Sequence, residues 1–360
     1  MKFVNMQDIL LEKLGWNAFF EANFFPYKEK GFAAGRVAIE HRKAYRLYTE
    51  LGELSAEAAG KMFYEARGPA VGDWVVIRPL LDEKKAVIHA VLPRKSKFSR
   101  KAAGDNTDEQ IVATNVDTVF LVSSLNQDLN LRRIERYLTL AWESGAIPVI
   151  VLNKTDLCDN VEECRDAVES VALGVAIHTV SAVAEEGMAE LATYLQNNST
   201  VAFLGSSGVG KSSLINKLLG EEYFKIGEIR EADDRGRHIT THRELVLVPT
   251  GGLVIDTPGM RELQLWEGAE GLQEVFEDIE RFAADCRFND CQHESEPGCA
   301  VLAALEKGEI SSERYGHYKK LQKELAFLHR KQDQHAQLEE KRKWKAIHRS
   351  VRKQLKQKYK

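Results

Sequence analysis

No apolar run in this chain reaches the about 18 residues that a membrane-spanning helix needs, so nothing in the sequence asks for a bilayer. Nor does the N-terminus carry the uninterrupted apolar core of a secretory signal, because Asp8, Glu12 and Lys13 break it. Cysteine is scarce and odd in number: Cys158, Cys164, Cys286, Cys291 and Cys299. Five cysteines without a secretory signal argue against a disulfide framework. The expectation is a cytosolic chain that is not bound to membrane.

What is present is ordinary for a soluble protein: 360 residues, 44% hydrophobic and 29% charged, enough for two or three domains. The net charge of −4 conceals an asymmetry. Residues 341–360 hold ten Lys and Arg and no acid, which leaves −14 on the rest. A basic tail on an acidic body points to a polyanion partner, the plainer alternative being a solvated helix face.

Residues 1–27 include an amphipathic stretch, Ile9–Leu11 through Leu14 and Trp16–Phe20, expected as one helix with a packing or capping role. From about 28 to 103 the pattern changes to short alternating runs: Gly35–Ile39, Tyr45–Tyr48, Trp74–Ile77 and Ala86–Ile88. These predict strands of a small β-barrel, with an OB fold as one candidate. The segment ends in Pro93–Lys101, whose five bases and Phe98 suit a phosphate backbone or make a charged linker. From about 112 to 265, Val116–Ser123, Ile147–Leu152, Val201–Leu204 and Leu253–Ile255 read as buried parallel strands, with helical spacing over Leu131–Trp142. After about 311 the absence of Gly and Pro beyond Gly316 predicts one or two long helices.

Gly205, Ser206, Ser207, Gly208, Val209, Gly210, Lys211 and Ser212 form a phosphate-binding loop between a predicted strand and the helical run that starts at Ser213. Backbone N–H groups of such a loop curl round phosphate oxygens and the helix N-terminus adds a favourable field. Lys211 would reach the β- and γ-phosphates and the Ser212 hydroxyl would ligate Mg²⁺. Asp256-Thr257-Pro258-Gly259 follows another strand: the carboxylate can hold Mg²⁺ through water, and the Gly259 N–H can sense a γ-phosphate.

Asn153-Lys154-Thr155-Asp156 ends a strand as well. The Asp156 carboxylate can accept both N1–H and the 2-amino group of guanine, a donor pair that adenine lacks. The Lys154 stem can cover the base and Asn153 can brace the loop. At Ser181-Ala182 a backbone N–H could bind guanine O6. In the usual GTPase order the phosphate loop comes first. Here the clamp precedes it by about fifty residues, which predicts a circularly permuted domain. Its loops still meet at the C-terminal ends of the strands, where open α/β sheets bind ligands.

Gly236-Arg237-His238-Ile239-Thr240-Thr241 lies where a switch loop belongs. Thr240 and Thr241 are both candidates for a γ-phosphate-dependent Mg²⁺ ligand. Met260 stands where Ras-like enzymes carry the water-orienting glutamine and cannot hydrogen-bond that water. His238 is the nearest substitute; a structural role in the loop is its alternative. Finally, Cys286-x4-Cys291-x-His293-x5-Cys299 supplies three thiolates and an imidazole, a full tetrahedral set for one structural Zn²⁺ with no open position for catalysis. Cys158 and Cys164, beside the clamp, read as incidental.

The order of these motifs, together with Arg94-Lys95-Ser96, Ser99–Ala103, Asn115-Val116-Asp117 and Asn130–Leu138, resembles the RsgA family of small ribosomal subunit biogenesis GTPases over roughly residues 28–355. The resemblance implies a multidomain protein. Residues 1–27 would be an extension, 28–103 an N-terminal OB-fold β-barrel, 104–272 a circularly permuted α/β P-loop GTPase domain, 273–310 a C-terminal zinc-binding helical domain and 311–360 basic helices. It implies GTP binding by Asn153–Asp156 and Gly205–Ser213, zinc at Cys286, Cys291, His293 and Cys299, and a hydrolytic role for His238. It also implies slow GTP hydrolysis to GDP and phosphate, stimulated by the small (30S) subunit, with binding to its rRNA in late maturation and release after hydrolysis. Ile239 departs from the family's usual threonine and leaves the Mg²⁺-binding switch threonine open. The expected protein is a monomer. The rival expectation is a passive RNA-binding scaffold whose nucleotide is structural.

Overall fold

The computed structural model describes residues 10–41, 44–60, 68–101, 109–126, 128–223, 243–256, 270–327 and 330. They belong to two compact units, one of residues 1–100 and 111–263, the other of residues 101–110 and 264–360.

The first unit opens differently from its sequence expectation. Leu11–Leu14 is a single 3-10 turn, Gly15 stops it at φ +85°, and a separate helix, α1 (Ala18–Lys28), starts at Asn17, whose side chain accepts the Phe19 N–H at 3.1 Å. One predicted helix is therefore two pieces, because Gly15 takes the left-handed conformation that ends a helix and Asn17 starts the next. Phe20 and Phe24 are the buried face of α1, and Trp16 meets Trp74 edge-on at 4.7 Å.

Next come β1 (Ala33–His41), β2 (Ala44–Thr49), β3 (Gly52–Ala58), β4 (Trp74–Leu80) and β5 (Lys85–Val91). Strand β1 pairs antiparallel with β2 and with β4, β2 with β3, and β5 with β4, whereas β3 and β5 are parallel. This closes a five-stranded barrel in the Greek-key order of an OB fold. Val37, Leu47, Val75, Ile77 and Ile88 fill it and are fully buried. Strands β6 (Lys97–Lys101) and β7 (Glu109–Thr114) form a separate ribbon.

The α/β part follows with β8 (Thr118–Ser124), α2 (Leu131–Ser144), β9 (Ile147–Asn153), α3 (Val161–Glu169), β10 (Ala176–Val180), α4 (Met188–Ala192), β11 (Thr200–Leu204), α5 (Lys211–Leu219), β12 (Glu244–Leu247) and β13 (Leu253–Asp256). The order β10-β9-β8-β11-β13 is parallel throughout, and β12 joins antiparallel to β13. Every residue of β8 and β11 is buried, as strands covered on both faces must be. Phe120 and Phe203 cross edge-to-face at 5.2 Å in this core.

The sheet runs on into the barrel, because Glu244 of β12 pairs with Ile39 of β1. A buried guanidinium reinforces the same seam. Arg36 donates to the carbonyls of Leu14, Gly72 and Asn115 and lies over the Trp74 ring at 5.5 Å. Burial lowers its pKa to about 10, so it stays charged at neutral pH. Beside it, Arg94 grips the fully buried Asp73 carboxylate through two hydrogen bonds of 2.7 and 2.6 Å.

From residue 270 on, the described part of the second unit carries α6 (Glu270–Val275), α7 (Glu277–Ala283), α8 (Ala300–Glu306) and a helix over residues 312–327. Arg314 holds Asp278 bidentately at 2.7 Å, and Tyr318 donates to Glu280 at 2.9 Å. The predicted long basic helices lie outside the described residues from 331 on.

Candidate functional site

The C-terminal ends of β9, β10, β11 and β13 share one edge of the parallel sheet, and each is followed by a candidate motif. Strand β9 ends on Asn153, which is 1% exposed. Its Nδ2 donates to the Val209 carbonyl at 2.8 Å, and its Oδ1 accepts the Ala182 N–H at 3.3 Å. One amide therefore ties the segment after β9 to both the phosphate loop and the loop after β10. Lys154 follows at φ +67° and its Nζ donates to the Gly208 carbonyl at 2.7 Å. Segments 54 and 56 residues apart in sequence are thus in direct contact.

Asp156 sits in the one-turn 3-10 segment Thr155–Leu157, where Ser181 donates its hydroxyl to Asp156 Oδ1 at 2.5 Å. Ser181 Oγ in turn accepts the Ala184 N–H at 3.0 Å. Ser181 and Ala182 are candidates in sequence for a backbone contact to guanine only. In the fold the Ser181 hydroxyl orients the Asp156 carboxylate, and the Ala182 N–H faces Asn153. A hydroxyl beside a carboxylate has no signal in sequence spacing, since 25 residues separate the two.

The phosphate loop lies between β11 and α5. Lys211 Nζ bends back to the carbonyls of Gly205 and Ser206 at 2.8 and 2.6 Å. Gly210 takes φ +98°, and a Cβ there would stand 2.2 Å from Asn153 Nδ2. The close approach of clamp and loop therefore requires glycine. No side chain caps the N-terminus of α5, and the backbone N–H groups of a helix N-terminus favour an anion. On α2, burial pushes the Tyr137 phenol's pKa up and the nearby Ser206 acts against the rise. Ser212 and Ser213 are half-buried in the first turn of α5, and Asp256 ends β13.

Gly259, Met260, His238, Thr240 and Thr241 fall outside the described residues, as does the basic run 341–360. Part of the Pro93–Lys101 run is a strand rather than a linker, and two of its residues are taken up by the fold, while Lys95 is exposed. Arg94 is committed to Asp73, Phe98 is buried, and Lys97–Lys101 is strand β6.

In the second unit, the ligand atoms of Cys286, Cys291, His293 and Cys299 lie within 4.8 Å of one another. Cys286 Sγ is 3.8 Å from Cys299 Sγ and 3.6 Å from His293 Nδ1, and Cys299 Sγ is 3.4 Å from that nitrogen. A tetrahedral zinc with Zn–S of about 2.3 Å and Zn–N of about 2.0 Å spaces its ligands about 3.8 and 3.5 Å apart. The donor set fits zinc. Burial disfavours ionisation of Cys286, but the Val301 and Ala300 N–H groups and the neighbouring thiols outweigh it and lower its pKa. Burial and the other thiols push Cys291 up to about 11. His293 is shifted down by burial and by Lys319, towards the neutral ligand form. Glu296, missed from sequence, organises the loop: its carboxylate accepts the N–H groups of Gln292, Glu294 and Ser295 at 2.8–3.0 Å, which lowers its pKa to about 2.

A candidate phosphate loop and a candidate guanine clamp, tied by one asparagine at the carboxyl edge of a parallel sheet, have the arrangement of a P-loop GTPase whose motifs occur in permuted order. Known proteins agree. The profile described as RsgA GTPase matches residues 91–266. A Small ribosomal subunit biogenesis GTPase RsgA from Opitutus terrae is 47% identical over 356 residues, covering 95% of this chain and 97% of its own. A Small ribosomal subunit biogenesis GTPase RsgA 2 from Lactiplantibacillus plantarum is 50% identical over 304 residues, 83% of this chain and 85% of its own. The crystal structure of YjeQ from Thermotoga maritima superposes with a TM-score of 0.62 at 28% identity, covering 82% of this chain and 99% of that one. That of YloQ, described as a circularly permuted GTPase, gives 0.58 at 25% identity, with 84% and 96% covered. This chain belongs to the RsgA GTPase family and is a GTP-hydrolysing enzyme. Among the described residues no helix is long and apolar enough to cross a membrane.

Proposed function

We propose that this chain is a GTP-driven switch that binds the small ribosomal subunit and its rRNA late in subunit maturation and leaves after hydrolysing GTP to GDP and phosphate. It works in the cytoplasm as a monomer. The observation that carries this reading is the contact of Asn153 and Lys154 with the Val209 and Gly208 carbonyls, which sets a guanine clamp against a phosphate loop.

In this reading Asp156, held by Ser181, accepts from guanine N1–H and the 2-amino group. The Lys154 stem covers the base. Gly205–Ser213 wrap the phosphates, with Lys211 released from the Gly205 and Ser206 carbonyls to the β- and γ-oxygens. Mg²⁺ bound with GTP would neutralise developing phosphate charge. Ser212 and Thr240 or Thr241 would hold it directly, Asp256 would do so through water, and the Gly259 N–H would read the γ-phosphate. His238 substitutes for the glutamine that Met260 replaces. One Zn²⁺ held by Cys286, Cys291, His293 and Cys299 is structural, since four protein ligands leave no open position. The barrel (28–103) and the basic helices (311–360), flanking the GTPase (104–272) and zinc (273–310) domains, contact rRNA.

The test is GTP turnover of the full chain alone and with purified small subunits. Stimulated turnover, with binding that differs between GDP and a non-hydrolysable GTP analogue, is the expected result. Turnover indifferent to the subunit would favour a passive scaffold.

A further inference from the structure

Two of the five cysteines stand apart from the zinc cluster and from the nucleotide contacts. Cys158 follows Asp156 by two positions, and its N–H donates to the Thr155 carbonyl at 3.1 Å, closing the turn that carries the clamp carboxylate. Cys164 lies on α3. Both are half-buried free thiols. Asn160 gathers them: its Oδ1 accepts from Cys158 Sγ at 3.4 Å and lies 4.0 Å from Cys164 Sγ, while its Nδ2 donates to Glu163 at 3.0 Å. The two thiols therefore meet at one asparagine oxygen. Two thiols that share one acceptor are within reach of each other by side-chain rotation, and in the cytoplasm proposed above a disulfide is transient and regulatory.

We propose that Cys158 and Cys164 are a reversible oxidation site that takes hydrogen peroxide, and that the resulting disulfide weakens guanine-nucleotide binding. The Cys158 thiolate attacks one peroxide oxygen: an S–O bond forms, the O–O bond breaks, and the departing hydroxide takes a proton to become water. Cys164 sulfur then attacks Cys158 sulfur: the S–S bond forms, the S–O bond breaks, and the Cys164 proton leaves with the hydroxyl as a second water. Two thiols lose two electrons and one peroxide becomes two waters. Burial and its neighbour Cys158 push the Cys164 thiol up, which suits the protonated, resolving role. A glutathione-class thiol reverses the bond by exchange. The disulfide draws Cys158 towards α3 and away from Asn160, and the Asp156 turn is built on the same residue. The effect on nucleotide rests on the reading of Asp156 as the clamp; formation of the bond does not.

The test exposes the zinc-loaded full chain, Cys158→Ser, Cys164→Ser and the double variant to hydrogen peroxide. Peptide mass mapping, chelator-detected zinc and fluorescent GDP dissociation are then followed. In the native chain a 158–164 linked peptide, lighter by two hydrogens, is expected with zinc retained. GDP affinity should fall on the order of tenfold, about 1.4 kcal/mol, and recover with dithiothreitol. The double variant should keep its reduced-state affinity. Absence of the linked peptide, a linked peptide with unchanged GDP affinity, or an equal loss in the double variant would each overturn the proposal. An Asp156→Asn titration tests the clamp separately, so the two readings can fail independently.

Discussion

Replacing Asn153 with alanine removes one buried amide and separates three segments at once. The Val209 carbonyl loses the donor that lay 2.8 Å away, and the Ala182 N–H loses its acceptor at 3.3 Å. Asn153, Val209 and Ala182 are all buried, so water does not replace the lost partners readily. A buried polar group left unpaired costs about 1–3 kcal/mol, and the longer contact belongs at the lower end, so the sum is about 2–4 kcal/mol. Part of this falls on folding and part on nucleotide binding, because the brace sets the spacing between base clamp and phosphate loop. Fluorescent-GDP titration should show a 10- to 100-fold loss, about 1.4–2.8 kcal/mol, and urea denaturation of the nucleotide-free chain a lower midpoint. Asn153→Asp separates the contacts: the carboxylate can still accept from Ala182 but sets a charge against the Val209 carbonyl, and should bind GDP worse than the alanine variant. A lower urea midpoint with GDP affinity unchanged in both variants would refute the reasoning, because the brace would then serve the fold alone.

Three further outcomes are expected. Arg36→Met leaves the Leu14 and Asn115 carbonyls without this donor, while Gly72 keeps the Asn115 Nδ2 donor at 3.0 Å, and should cost about 2–6 kcal/mol in urea denaturation, as two buried acceptors left unpaired do; a change under 1 kcal/mol would show that the seam tolerates an apolar filler. Glu296→Gln weakens the acceptor of three backbone N–H groups in the metal loop, and competition with a chromogenic chelator should show zinc held about 10- to 100-fold less tightly. Burial lowers the His178 pKa, so the folded chain prefers the neutral ring. The unfolded chain takes up a proton below about pH 6.5, and stability should therefore decline as pH falls through that value. A urea midpoint followed down to about pH 5.5 should fall less in His178→Gln than in the native chain.

Much of the fold was legible where one local rule decides. Val116–Ser123 reads as a strand because a segment covered on both faces must be apolar throughout, and β8 is buried along its whole length. The cysteine cluster was legible because its spacing brings four ligand atoms together, and the glycine-rich turn proposed to bind phosphate was legible as the link from β11 to α5. Strand β3, Gly-Glu-Leu-Ser-Ala-Glu-Ala, escaped because it carries no β-branched or aromatic residue and buries Leu54 and Ala56 in alternation. The N-terminal pattern was apolar across Gly15, and only the backbone conformation there shows the break. Phe98 among five bases looked available to nucleic acid, yet it is 2% exposed. Ser181 on Asp156 and Glu296 under the metal loop depend on tertiary contact, which neither periodicity nor motif spacing encodes.

The central claim is that Asp156 reads guanine at a site completed by the phosphate loop. Parallel titration of GDP and XDP against the native chain and Asp156→Asn tests it most directly. The amide can accept at one oxygen only and presents a donor where guanine also donates, whereas xanthine offers a carbonyl there. GDP affinity should fall about a hundredfold, close to 3 kcal/mol, while XDP affinity rises above that of GDP. Equal GDP affinity in the two proteins, with no gain for XDP, would contradict the claim.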